Sequence, residues 1–421
     1  MNIIIKYQQL INVFLVFIFS STLCFSIYRD YENIKDGYSG DLRKRIVGAR
    51  YMDKGYSPYF FKWNNQYPSE FFIKDESQFP IKQNVVTLPP SYLWLLQPIA
   101  KLNFGTIEIY WYIFQYVSLL LIFSLFYCRS DAISTKNFLL GIYSLLLFSC
   151  GWIKNIDIGQ SYILFPFLLS ILYIAFRDHR HLLFYCGIFI GICTWLRPTY
   201  LLFALPFCFA DNKLFFFRGL VLICFLAISQ IFLCGHLNIW LDFFKSSSNW
   251  LSYFYHNPSG EGFGNLVMPS VVEGQTDFSI TLLPDYLANI PINLRHFLNI
   301  SLPGSIFTLI FLFAVIILIF FFFTNRKIED PAILLLSGFM FYYIGEIFMW
   351  APKYSYYFVE LIFPICLLGY NQKKVNNNTL ILLIIGLSLS VFRILPMGFL
   401  LGEYISASAI FLHVLSTLKK S

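Results

Sequence analysis

Five stretches of this chain run almost free of charge for long enough to cross a lipid bilayer: Leu10–Tyr28, Ile109–Tyr127, Gly219–Gly235, Ile306–Phe323 and Pro331–Trp350. A helix needs roughly 17 to 25 predominantly apolar residues for that crossing. Lipid offers no water to backbone N–H and C=O groups, so a spanning segment must satisfy them as a helix or in a closed barrel. The runs lack the alternation of barrel strands, which leaves helices. Composition agrees, because 57% of the 421 residues are apolar and 13% charged, with a mean hydropathy of +0.64. A water-soluble chain of this length would lack the polar surface to cover itself. The expected fold class is therefore all-α, a polytopic integral membrane protein of roughly 11–13 transmembrane helices. It reads as a single integral domain over residues 1–421.

A formal net charge of +7 raises nucleic acid as a partner, but the basic residues sit where cytoplasmic loops belong. Arg129 with Lys136, Arg177 with Arg180, Lys213 with Arg218, Arg326 with Lys327, Lys373 with Lys374, and Lys419 with Lys420 alternate with loops poorer in Lys and Arg. That pattern predicts cytoplasmic termini, and no nucleic-acid partner is expected. Two long loops fall on the outer face, residues 28–105 and 236–303; long loops translocate largely regardless of charge. The first apolar run exceeds a signal-peptide core and no small-x-small cleavage site precedes Arg29, so a retained first helix is expected. The nine cysteines lie in or beside apolar runs and form neither a disulfide framework nor a zinc pattern.

Two places break the regular pattern. Ser91–Phe104 is apolar but too short to cross, and it follows the rigid Pro89-Pro90 pair. It predicts an interfacial or re-entrant helix. Over residues 182–210 two short apolar pieces flank Leu196-Arg197-Pro198, and the basic flanks share one side, so the chain must turn back near Arg197.

The outer loops and the outer helix ends hold the residues suited to chemistry. Ser39-Gly40-Asp41 precedes a helical pattern with Leu42, Ile46, Ala49 and Met52 on one face and Arg43, Arg50 and Lys54 on another, stopped by Gly55. Asp41 is either the N-cap of this interfacial helix or a carboxylate, beside several cations, that takes a proton from a hydroxyl. Asp30, Asp36 and Asp53 compete for that role, with Asp30 the principal rival. Arg197 costs about 2.5 to 3.5 kcal/mol at a helix centre on insertion scales. Either an anion such as a lipid phosphate offsets that cost, or the side chain snorkels to headgroups.

Lys353 stands at an outer helix end before Tyr354, Tyr356 and Tyr357, which are either a belt of interfacial anchors or a phosphate- and sugar-binding group. Gly159-Gln160 offers an amide to a sugar hydroxyl or caps its helix. Glu346 lies inside an apolar run, where carboxylates are functional by default, though near its outer end. The Gly260–Gly264 segment, GEGFG, lacks the strand and helix of a phosphate loop and reads as a turn.

These features, in this order, resemble the GT-C superfamily of polytopic glycosyltransferases, and within it the family of polyprenol-phosphate-mannose-dependent alpha-mannosyltransferases and related arabinofuranosyltransferases. The resemblance rests on Asp41 followed by Gly55, Pro58 and Tyr59, then on TLPPSYLWLLQPIAKL with Leu88 where tyrosine is usual. Gly159-Gln160 and Arg197-Pro198 follow, the latter with Arg in place of Lys. APKYSYYFVELIFP completes it, with tyrosines replacing two histidines. The resemblance implies an inverting transfer of a single mannose-like or pentose sugar from a polyprenyl-phosphate donor to a glycan or glycolipid acceptor. Asp41 would be catalytic, Arg197 and Lys353 would bind the donor phosphate, and Gln160, Tyr59, Tyr356 and Tyr357 would bind substrate. The site would face the exterior or periplasmic side of the inner (plasma) membrane. No cofactor is expected; divalent metal belongs to the wider superfamily, but no pair of outer carboxylates argues for it here. A lipid-linked polysaccharide polymerase is the alternative reading, and a transporter or flippase, which would show paired repeats, is a third.

Overall fold

The computed structural model describes residues 2–35, 39–60, 86–177, 181–210, 212–256, 304–324, 328, 330–348, 355–392 and 398–419. The 260–264 turn, Asp36 and Lys353 lie outside the described residues. Among the described residues there are helices and no strands. In chain order they are α1 (Asn2–Lys35), α2 (Gly40–Asp53), α3 (Pro90–Ala100), α4 (Phe104–Cys128), α5 (Ile133–Phe148), α6 (Cys150–Asp157), α7 (Leu164–Phe176) and α8 (Leu182–Leu196). A 3-10 helix, Pro198–Phe209, leads to α9 (Lys213–Leu233), α10 (Leu237–His256), α11 (Gly304–Thr324) and α12 (Pro331–Phe348). A second 3-10 helix, Ser355–Leu361, and a short turn, Gln372–Lys374, flank α13 (Ile362–Tyr370), and α14 (Asn377–Phe392) and α15 (Gly398–Leu418) close the chain.

This is the all-α polytopic architecture that the apolar runs predict. Five helices, α1, α4, α9, α12 and α15, are long and apolar enough to cross a membrane, and α5 with α6 forms a further candidate bent by 54°. The remaining apolar chain is divided into shorter helical pieces of 10–17 residues. Proline is one divider: Pro198 forces Arg197 into extended backbone (φ −155°, ψ 104°) and so ends α8. The 3-10 segment then packs against α8 and against α12. Within the bundle α12 is central, with 83% of its span buried against 17% for α1 and for α9.

Small residues let the helices approach. A Cβ added at Gly187 would overlap the Phe216 carbonyl oxygen of α9, and one at Gly386 would lie 2.8 Å from the Gly402 carbonyl oxygen of α15. Such close crossings gain dispersion contact where lipid removes the hydrophobic drive.

A second, smaller core joins α2, α3, the ends of α4 and α8, and the start of α10. The amphipathic face read from the sequence is the one buried, since Leu42, Ile46, Ala49 and Met52 are at most 4% exposed. Pro90 opens α3, where a missing N–H does no harm. At its other end Arg50 donates to the carbonyls of Ala100 (2.8 Å) and Leu102 (3.1 Å). One boundary differs from expectation. α1 does not stop near Tyr28 but continues to Lys35, because Asp30 faces inward and accepts from Arg29 and Tyr116, each at 2.6 Å.

Candidate active site

The turn after α6 organises the site. Gly159 has φ +69°, the left-handed region that favours glycine. Its N–H donates to the Ile156 carbonyl (2.9 Å) and that of Gln160 to the Asn155 carbonyl (2.8 Å), a Schellman end to the helix. The Ile158 carbonyl is thereby turned outward and accepts from the N–H groups of Asp41 (3.1 Å) and Leu42 (3.3 Å). A helix start leaves N–H groups without intrahelical partners. At α2 this distant turn supplies the acceptor, and Ser39, not Asp41, occupies the N-cap position without a side-chain cap bond. Asp41 sits in the first turn with its carboxylate free of capping.

That carboxylate accepts from the Gln160 amide through Oδ2 and from Lys44 (3.3 Å) through Oδ1, and its side chain is 31% exposed. The carbonyl end of the Gln160 side chain accepts from Arg45, which also donates to the Gly159 carbonyl at 3.1 Å. Asp41 and Gln160, 119 residues apart, thus meet through one amide. Gln160 is 2% exposed and both ends of its amide engage protein partners, so it neither caps a helix nor opens fully to solvent.

Arg45 and Arg197 line one pocket. Its polar lining is completed by Tyr92, Ser161, Tyr162 and Tyr200, and its apolar lining is Leu88, Leu164, Phe165, Leu168, Cys193 and Leu196. The Arg197 guanidinium does not snorkel outward: it donates to Glu346 (2.8 Å) and Glu360 (2.9 Å), whose side chains are 5% and 3% exposed. Glu360 further accepts from the hydroxyls of Tyr200 (2.6 Å) and Tyr342 (2.7 Å). The rings of Tyr357 and Tyr162 lie 4.9 and 5.0 Å from the guanidinium carbon. Two of its five N–H groups serve the carboxylates, so three remain for other partners.

The structure is thus a polytopic helical bundle with a pocket lined by two arginines. The model of glycosyltransferase family 87 matches residues 87–344, more than half of the 421. The chain belongs to glycosyltransferase family 87. It is a glycosyltransferase of the multi-pass membrane type. No curated protein and no solved structure matches it. The matched span holds Gln160 and Arg197, whereas Asp41, Glu346 and Glu360 lie beyond its ends.

The other expected residues of this family-87 glycosyltransferase fall in three places. Tyr356 and Tyr357 stack with each other and on Tyr162 (centroids 5.3, 5.3 and 4.5 Å apart), next to Arg197. Tyr59 is instead fully buried in the smaller core, where its hydroxyl donates to the Leu88 carbonyl at 2.6 Å and so ties the loop after Gly55 to the residue before Pro89-Pro90. Burial pushes that hydroxyl well above its ordinary value. Asp30 is buried at the α1–α4 contact with Tyr116 and Ser26, apart from the Asp41 cluster.

Three contributors are not singled out by sequence reasoning. Glu360 lies in the quoted APKYSYYFVELIFP segment, and a carboxylate in that apolar setting is a signal, equal to that of Glu346. Arg45 has no such signal, since one arginine among several on an amphipathic helix looks like surface. Tyr162 looks like any belt tyrosine. Among the described residues, no group of three or more His, Cys, Asp or Glu is gathered for a metal.

Proposed function

We propose that this family-87 enzyme is an inverting transferase that moves a single sugar from a polyprenyl-phosphate donor to a hydroxyl of a glycan or glycolipid. The active site would lie on the outer face of the inner membrane, with both termini in the cytoplasm. The observation that carries the reading is the chain of contacts from Asp41 through the Gln160 amide to Arg45, which lines one pocket together with Arg197.

In this scheme a carboxylate oxygen of Asp41 takes the proton of the acceptor hydroxyl as that oxygen attacks the anomeric carbon. The new C–O bond forms on the face opposite the departing lipid phosphate, whose bond to the sugar breaks with its electron pair. Gln160, tied to Asp41, fixes the carboxylate. Arg197 turns its remaining N–H groups to the phosphate, and Lys353 is a second phosphate contact. Tyr356 and Tyr357 offer ring faces to the sugar, while Tyr59 supports the site from the smaller core. Apolar pocket residues such as Leu164 and Phe165 suit a prenyl chain.

The test is sugar transfer from a panel of radiolabelled polyprenyl-phosphate sugars in membranes carrying wild type or Asp41→Asn at matched protein levels. Transfer by the wild type and its loss in the folded variant are expected. Full activity in Asp41→Asn would remove Asp41 as base and turn attention to Asp30, and absence of transfer from every monosaccharide donor would refute the single-sugar scheme.

A further inference from the structure

We propose that Arg45 binds the phosphate of the donor and supplies the net positive charge that attracts it, a role that Arg197 cannot fill by itself. The inference rests on the lipid-phosphate reading above and adds a residue to it.

Both guanidinium groups line the pocket, but their surroundings differ in charge. Arg197 contacts two carboxylates, at 2.8 and 2.9 Å. Even with one of the two protonated, that trio is neutral. It offers directed N–H groups to a ligand and no surplus positive charge. Arg45 is only 7% exposed, and its partners are the Gly159 carbonyl, the Gln160 side-chain oxygen and the Tyr92 hydroxyl, all formally neutral. Among the described residues it pairs with no carboxylate.

A buried cation with only neutral partners keeps a desolvation cost that an anion offsets. Asp41 stands one helical turn before Arg45, but its carboxylate is 31% exposed, pairs with Lys44 at 3.3 Å and meets Arg45 through the Gln160 amide rather than in an ion pair. The fork already spends one N–H of each terminal nitrogen on Gly159 and Gln160. With the Tyr92 hydroxyl as a third partner two N–H groups remain, and phosphate oxygens take charge-assisted bonds from such a group. The apolar wall beside it, with Leu88, Leu164 and Leu196, favours a phosphate that carries a hydrocarbon chain over free phosphate.

The experiment is thermal unfolding of the full-length protein in detergent with farnesyl phosphate, inorganic phosphate or farnesol, together with the sugar-transfer assay. Farnesyl phosphate is expected to raise the Tm of the wild type, and Arg45→Gln to weaken its apparent affinity roughly ten- to a hundred-fold. Glu346→Gln removes one of the two negative charges beside Arg197, so it is expected to tighten binding several-fold and to restore part of what Arg45→Gln loses. Equal affinity in wild type and Arg45→Gln would overturn the assignment, as would no binding by the wild type. If Arg45→Gln does not fold, unchanged or weaker binding in Glu346→Gln overturns it. Inorganic phosphate binding as tightly as farnesyl phosphate would refute the lipid source. Sugar transfer by a wild type whose phosphate affinity ignores Arg45 would sink this inference and leave the donor reading intact. Binding through Arg45 without transfer from any lipid-phosphate sugar would do the reverse.

Discussion

Gly159→Ala tests whether the turn after α6 sets the position of Asp41. A Cβ there would lie 2.6 Å from the Leu42 Cβ and 3.3 Å from the Ser39 Cβ, and the backbone has φ +69°. Two costs follow. Left-handed backbone costs an ordinary residue about 1–2 kcal/mol, and forcing a methyl into a packed contact costs about 1–3 kcal/mol. The expected loss of stability is therefore about 2–5 kcal/mol. Relief also moves the start of α2, since opening the Leu42 contact to an ordinary 3.4 Å requires a shift of about 0.8 Å. A displacement near 1 Å at a reacting group lowers rates by about a hundred-fold, and here it also loosens the Ile158 carbonyl from the Asp41 and Leu42 N–H groups.

Gly55→Ala is the matched control. Gly55 has φ +78° with nothing within 4 Å of its added Cβ, so it incurs only the backbone cost, about 1–2 kcal/mol. Sugar transfer in membranes at equal protein level, with Tm measured in detergent, separates the two. Gly159→Ala is expected to lose about a hundred-fold in kcat and Gly55→Ala to keep its activity. Equal activity in both variants would refute the claim that the turn positions the carboxylate.

Three further outcomes follow from the contacts. Arg197→Met leaves Glu346 and Glu360 buried without their cation and is expected to lower stability by about 3–5 kcal/mol, read as a fall in Tm that Arg197→Lys partly avoids. Gln160→Met keeps bulk but frees both Asp41 and Arg45, so kcat is expected to fall about ten-fold or more with a smaller change in donor KM; an unchanged kcat would remove Gln160 from the positioning of Asp41. Tyr59→Phe loses the bond to the Leu88 carbonyl, worth about 0.5–1.5 kcal/mol. Because burial raises the folded pKa of Tyr59 above its unfolded value, the hydroxyl's contribution is complete below that unfolded value of about 10 and is lost only as pH rises through the folded one. The Tm difference between Tyr59→Phe and wild type is thus expected to be the same at about pH 6 and about pH 9.

The parts of the site that break a local rule were legible in the sequence. Arg197 in an apolar run must have a partner, and before proline it must leave the helix. The periodicity of Leu42, Ile46, Ala49 and Met52 gives the face of α2 that is buried. What one chain segment does to a distant one was not legible. The pattern around Asp41 admits a cap, and only the three-dimensional turn shows that Ile158 does the capping and leaves the carboxylate free. Arg45 is written as surface because its neighbours in sequence are charged; its burial comes from the residues 159–160 that close over it. Glu360 is hidden among tyrosines whose ordinary place is an interfacial belt.

The stretch from Gly159 to Tyr162 carries the relation between the two halves of the site. Asp41 and Arg45 stand on α2, whose apolar face packs in the smaller core, and Arg197, Glu346 and Glu360 meet within the bundle. Gly159 and Gln160 hold the first pair through the α2 start and one side-chain amide. Two residues later the Tyr162 ring sits 5.0 Å from the Arg197 guanidinium carbon and stacks on Tyr356. Backbone geometry here is fixed by the Schellman hydrogen bonds and by the Trp111 indole, which donates to the Gln160 carbonyl at 3.1 Å. The relation between the Asp41 carboxylate and the Arg197 guanidinium therefore runs through one short turn. A dipeptide at a helix end thereby acquires a chemical consequence, since the same glycine that lets the chain turn also places the Asp41 carboxylate against Gln160.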